Sequence, residues 1–191
     1  MSSPTQSEAS NPIQAFFERY GSFDYDPAGE TMPQFWKLCD LYNWDRDSDE
    51  REEALTEIRD AIAQQFNAFY GSDAECLNGW HSLYRALQIA DIPDTVQGCK
   101  DMIKTIHVNI CDLVDHKEDV PQKHSTEDEL ADYSRRTGKI YPRENAYAGG
   151  LLRFLLRQIT GEYHGKRCDR GQQRGGRKGR QGSKRHRRGQ H

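Results

Sequence analysis

The stretch DEREEALTEIRDAIAQQFNAFY, residues 49–70, decides the fold class. Leu55, Ile58, Ile62, Phe66 and Phe69 recur in it at steps of three or four, the spacing that gathers apolar side chains on one face of an α-helix. Asp47 and Glu50 stand three apart at its start, as in a capping box, where a side-chain acceptor and a reciprocal carboxylate satisfy the orphan amides of the first turn. The acidic run Asp45–Glu53 is charged like a partner-binding face, but carboxylates are favoured at the positive end of the helix dipole and capping accounts for them. A one-sided helix of this length requires other elements to cover it.

Those elements are read outward from it. Upstream, PIQAFFERY begins with Pro12 in a first-turn position, carries Ile13, Phe16, Phe17 and Tyr20 at helical spacing, and is stopped by Gly21. Phe35, Leu38, Cys39 and Tyr42, flanked by Met32 and Trp36, predict a second helix ending near Trp44. Downstream, Gly71 is a C-cap, and Ser72 with Glu75 caps a helix holding Leu77, Trp80, Leu83, Tyr84 and Leu87. From Asp94 or Thr95, the residues Val96, Cys99, Ile103, Ile106, Ile110 and Leu113 predict one helix of nearly five turns. Residues 116–124 are polar, broken by Pro121, and read as a surface connection. Ser125 and Asp128 then open a short helix that ends at Gly138, and Ala148, Leu151, Leu152, Leu155, Leu156 and Ile159 mark a last one over 143–160. Gly149 and Gly150 inside it cost about 1 kcal/mol each relative to Ala, which a close helix crossing would explain. Period-2 alternation and hairpin dipeptides are lacking. The expectation is an all-α fold: an irregular bundle of six to seven helices over residues 12–160.

Composition sets the boundaries of this domain. The 191 residues, 35% apolar and 10% aromatic, suffice for one core. Residues 1–11 are almost wholly polar and are expected to be disordered, as is the stretch from 161 to 191, where 8 of 31 residues are Gly and Tyr163 is the only large apolar side chain. The formal charge of −3 hides a division. Residues 162–191 hold 11 Lys/Arg against Glu162 and Asp169, a net +9, which leaves the first 161 residues with 16 cations, 28 carboxylates and a net −12. No apolar run is long enough to span a bilayer, and the opening MSSPTQSEASNP has neither the apolar core of a secretory signal nor the arginines of a mitochondrial presequence. The cytoplasm or nucleus is the expected location. Five cysteines without a C-x-x-C pair argue against a disulfide or zinc framework.

The tail GKRCDRGQQRGGRKGRQGSKRHRRGQH carries the most specific signal. Arg174, Arg177, Lys178, Arg180, Lys184, Arg185, Arg187 and Arg188 could meet successive phosphates of RNA and stack on unpaired bases. Lys184–Arg188 is also a compact cluster of the type that nuclear import receptors read. The bland alternative is that the tail solubilises the domain or folds back on the acidic body as an intramolecular counter-ion. One Arg-Gly-Gly triplet, Arg174–Gly176, weakens the RNA reading.

Elsewhere the chemistry is sparse. In HVNICDLVDH, residues 107–116, His107 with Cys111 and Asp112 with His116 have the i, i+4 spacing that can share a metal. On one continuous helix the two pairs point in different directions, so no metal is expected: His107 is read as a boundary histidine, Asp112 and Asp115 as solvated. The three tryptophans, Trp36, Trp44 and Trp80, are read as core. No P-loop, G-x-G-x-x-G, G-x-S-x-G, H-E-x-x-H or EF-hand pattern occurs, and no cofactor is implied.

The stretches FFERYGSFDYDPAGETMPQFWKLCDLYNWDRD, FNAFYGSDAECLNGW, IADIPDTVQGCKDMIKTIHVNICDLVD and TGKIYPRENAYAGGLLRFLLRQI together resemble an uncharacterised family of small helical proteins of filamentous fungi, over about residues 12–160. The resemblance implies a cytosolic or nuclear fungal protein, brings no activity and transfers no site residue. Two functions follow as expectations. The first is a non-enzymatic domain that binds a protein partner in a groove between helices, with a tail for nuclear import or RNA. The second is a small-molecule binder or enzyme with a pocket lined by Trp80, Tyr84 and His107.

Overall fold

The stretch that decides the fold class forms one unbroken helix. In the computed structural model, which describes residues 11–115, 120–141 and 150–156, α3 spans Asp49–Tyr70 and buries Ala54, Ile58, Ala61, Ile62, Ala63 and Phe66. Its cap lies one residue later than the capping-box pattern indicates: the Ser48 hydroxyl accepts from the amide of Arg51. Gly71 ends it at φ 88°.

Around it stand α1 (Pro12–Glu18), α2 (Thr31–Leu41), α4 (Leu77–Ala86), α5 (Val96–Met102), α6 (Ile110–Asp115), α7 (Glu127–Thr137) and α8 (Leu152–Leu155). The described residues therefore form an all-α irregular bundle with α3 at its centre, in contact with α1, α2, α4, α6 and α8. A two-stranded antiparallel ribbon, β1 (His107–Val108) and β2 (Lys123–His124), pairs His107 with His124 and Val108 with Lys123. One cluster of buried residues runs from Ile13 to Leu155, with Phe35, Leu38, Ile58, Ile62, Phe66, Trp80, Leu83 and Tyr84 fully enclosed.

Two sequence expectations are corrected here. The long fifth helix is broken: α5 gives way to a 3-10 turn at Ile103–Thr105, Ile106 is extended, β1 follows, and α6 restarts at Ile110. The cause is local. Thr105, Ile106, Val108 and Ile110 are β-branched and lose rotamer freedom in a helix, and the Asn109 side chain offers the amide of Cys111 an alternative acceptor at 2.9 Å. The apolar stripe survives because each short piece in turn faces the same core. The polar connection at 116–124 contributes a strand at its end, Lys123–His124, and buries Pro121.

At the C-terminal end the described part of the expected 143–160 helix is the single turn α8, and Leu156 is already extended. Gly150 precedes α8 in the left-handed region, at φ 60°, and does not lie inside a helix. A Cβ there would come within 2.1 Å of the Ser72 carbonyl oxygen. Close approach is indeed the reason for glycine, but to the loop after α3. The Ser72–Glu75 capping box does not form either. Cys76 takes the N-cap position of α4, and Asp73 accepts from the amide of Glu75.

Asn11, placed in the polar N-terminus, caps α1 by accepting from the amides of Ile13 and Gln14. The expectations of disorder for 1–10 and 161–191 lie outside the described residues. No helix among the described residues is long and apolar enough to cross a membrane.

Candidate functional site

Trp80 and Tyr84 are wholly enclosed, and each satisfies its polar atom on the backbone: Trp80 Nε1 donates to Ala74 O at 2.9 Å and Tyr84 Oη to Cys99 O at 2.7 Å. Burial pushes the Tyr84 phenol well above its ordinary pKa. His107 sits on the ribbon opposite His124, with a buried Nδ1 that has no hydrogen-bond partner among the described residues. The Trp80 and Tyr84 rings lie together in the core, their centroids 6.4 Å apart, and His107 stands on the ribbon. A cavity between Val108, Asn109, Leu130, Tyr141 and Leu155 has a volume of about 20 Å³, room for one water and far below the ~300 Å³ of a small-molecule pocket.

His107 and Cys111, expected on one helix, stand on β1 and α6 respectively. Cys111 is fully buried, and burial raises its thiol far above the usual range. Asp112 is engaged elsewhere, and His116 lies outside the described residues. No group of three or more His, Cys, Asp or Glu among the described residues is placed to hold a metal ion.

Asp112 and Asp115, read from the sequence as solvated, are instead built into a buried ionic cluster. α7 ends at Gly138, φ 73°, and this left-handed turn drives Lys139 inward until 1% of its side chain remains exposed. Its ammonium donates to Asp112 Oδ1 on α6 and to Glu30 Oε1 before α2, both at 2.6 Å, and to Tyr133 Oη at 3.3 Å. Two further bonds fix the same turn: Trp36 Nε1 donates to Gly138 O at 3.3 Å, and Asn109 Nδ2 to Lys139 O at 2.9 Å. Asp115 accepts from both the amide and the hydroxyl of Thr31. Burial works against the Lys139 charge, but its hydrogen bonds to Asp112 and Glu30 outweigh it and hold the pKa above the ordinary lysine value. A lysine kept as an ammonium at neutral pH is neither a base nor a nucleophile. This cluster fastens α2, α6 and α7 together. Nothing local in TGKIYP signals it, because its partners lie 27 and 109 residues away in sequence.

The outer surface carries the second assembly, around the C-terminal end of α2. Leu41 is 49% exposed and Tyr42 40%. Asn43 enters the left-handed region at φ 53°, which lets the amide of Trp44 reach back to Cys39 O at 3.0 Å. This Schellman-type turn folds Trp44 back beside the helix end. Tyr20, Tyr42 and Trp44 then form a triangle of rings with centroids 5.6, 5.8 and 5.5 Å apart. Trp44, placed in the core by the sequence reading, is only half-buried. Residues 37–53, which contain this corner, carry seven carboxylates and three cations. Beside Tyr20, Arg19 forms a two-pronged pair with Glu57 at 2.8 and 3.1 Å, and its guanidinium carbon lies 5.0 Å from the Phe16 ring centre and 5.9 Å from that of Tyr20. An aromatic surface beside carboxylates suits a cationic ligand, since the ring faces and the acids both attract positive charge.

Arg174, Arg177, Lys178, Arg180, Lys184, Arg185, Arg187 and Arg188 lie outside the described residues. Comparison of the chain with protein-family models, with curated proteins and with solved structures gives no match.

Proposed function

We propose that the chain is a non-enzymatic interaction module that binds a protein partner on the Tyr20–Tyr42–Trp44 surface and uses its basic C-terminal segment as an address for the nucleus. The observation that carries this reading is the aromatic triangle itself, in which Tyr42 is exposed and Tyr20 and Trp44 are half-buried, together with the exposed Leu41 that precedes Tyr42. Aromatic side chains concentrated on a surface, where burying them would gain contact area at little entropy cost, are typical anchors of protein interfaces. The sequence reading placed a partner in a groove between helices; the surface favoured here lies at the C-terminal end of α2. The fungal resemblance adds a setting and no chemistry. A small-molecule or enzymatic role has no comparable support among the described residues: the cavity beside Val108 and Tyr141 has room for a water, and the buried Lys139 ammonium is paired with its carboxylates.

Affinity capture with the intact chain and with Leu41→Ser/Tyr42→Ser tests the surface. Leu41 and Tyr42 are about half exposed and Tyr42 also meets the Tyr20 and Trp44 rings, so the double variant is expected to stay folded, with a modestly lower unfolding temperature, while losing its specific partners. Recovery of the same partners by both proteins would remove the surface from the proposal. A fusion of residues 162–191 to a reporter is expected to concentrate in nuclei; an even cytoplasmic signal would end the targeting claim. Titration with single-stranded RNA at several salt concentrations separates the other use of the same charges, because phosphate-driven binding weakens linearly on a log–log plot.

A further inference from the structure

We infer that in the free protein the basic segment 166–188 docks on the aromatic–acidic surface of its own body, so that partner binding and exposure of the tail are coupled. This inference rests on the reading of that surface as a binding site. Three observations carry it.

The first is chemical fit. The fold already lays arginine on aromatic rings in this region: Arg19 over Phe16 and Tyr20, and Arg51 over Trp36 at 5.2 Å. The Tyr20–Tyr42–Trp44 triangle offers further ring surface, with Asp40, Asp45 and Asp47 exposed around it. A planar, permanently charged guanidinium can stack on such rings and pair with such carboxylates at once, which a lysine ammonium does less well. Of the 11 cations in residues 162–191, eight are arginine.

The second is charge balance. The net +9 of that segment faces the net −12 of residues 1–161, and seven carboxylates against three cations over residues 37–53 put part of the acidic surplus at the triangle. The field of the body favours the segment's approach before any contact is made.

The third is reach. The described chain ends at Leu156, 18 residues before Arg174 and 32 before Arg188. Eighteen residues can extend to about 60 Å, more than the roughly 40 Å across a body of this size. Tethering on this length scale gives an effective concentration of the order of millimolar, so contacts too weak to hold a free peptide are populated within one chain. A partner that covers Tyr42 and Trp44 displaces the tail and frees Lys184–Arg188 for a receptor; by linkage, a receptor holding the tail raises the surface's affinity for its partner equally.

The test is an NMR comparison of the full-length chain with a variant in which Arg174, Arg177, Arg180, Arg185, Arg187 and Arg188 are all replaced by Gln. At about 25 mM salt the Trp44 indole and Tyr42 amide resonances are expected to differ between the two proteins, with Trp80, buried and bonded to Ala74, unchanged as the internal reference. At about 500 mM salt, where the screening length falls below about 5 Å, the difference should vanish. Coincident spectra at low salt would overturn the inference. A low-salt difference that grows with protein concentration would overturn it too, because the occupant would then be the tail of a second copy. Neither result touches the capture experiment on Leu41→Ser/Tyr42→Ser, so failure of self-docking and failure of the binding surface are distinguishable.

Discussion

Lys139 shows how much one side chain can hold. Its removal would leave Asp112, with 5% of its side chain exposed, as a buried carboxylate without its cation. Lys139→Met is expected to lower unfolding free energy by about 3–5 kcal/mol, whereas Lys139→Met/Asp112→Leu should recover most of the loss. Equal losses in the single and double variants, read from urea midpoints, would show that the pair does not act as a unit. Asp115 behaves differently. Burial outweighs its bonds from Thr31 and lifts its carboxyl to about 6. A folded-state pKa raised above the unfolded value stabilises fully below the unfolded value and loses that contribution as pH rises through the folded one. Stability from this group therefore falls between about pH 4 and pH 6, by at most about 3 kcal/mol. Asp115→Asn keeps an acceptor for Thr31 and should flatten that part of the stability–pH curve. An unchanged slope in the variant would assign the pH dependence to other groups.

Elements end in this fold by two routes, and the sequence displays only one of them. Gly71 and Gly138 mark the ends of α3 and α7 by residue type alone. Asn43 and Gln88, at φ 53° and 50°, end α2 and α4 in the same left-handed conformation without glycine, with the amides of Trp44 and Ile89 reaching back to Cys39 O and Tyr84 O. Gln88→Gly should therefore stabilise the chain by about 1 kcal/mol in thermal unfolding, and Asn43→Gly by less, since Asn tolerates this conformation. Gly150→Ala should do the reverse. It meets both an unfavourable φ and the Ser72 carbonyl, and a loss of at least about 2 kcal/mol is expected. A loss below about 0.5 kcal/mol would mean that this crossing relaxes freely. The helices of residues 12–87 were legible because each has its own apolar stripe. The break between Ile103 and Ile110 was not, because a stripe reports which residues face the core and is indifferent to whether helix, 3-10 turn or strand presents them. Lys139 was hidden for a related reason: a cation after a helix-ending glycine has the pattern of a solvated residue, and only the return of Glu30 and Asp112 from distant segments gives it a buried place.

At the scale of the whole molecule, one enclosed cluster extends from Ile13 to Leu155 without division. Folding as a single cooperative unit is the expected consequence. Aromatic circular dichroism, which follows Phe35, Trp80 and Tyr84, and far-ultraviolet dichroism, which follows the helices, should give one midpoint; two separated midpoints would divide the core. The all-α class and the central helix were open to sequence reasoning, as was the opposition of an acidic body and a basic end. The aromatic corner was not, because Tyr42 and Trp44 have the spacing of core residues, and only the turn at Asn43 sets Trp44 beside Tyr42 and Tyr20 at the end of α2. The lysine that joins Glu30 to Asp112 has a last consequence, in time rather than in space. A ribosome adding about 5–20 residues per second supplies that lysine seconds after either carboxylate, so the growing chain carries two acids waiting for their cation. Until then α2 can lie on α3 without being fastened, and a chain whose synthesis stops before Lys139 has its early helices and lacks their clasp.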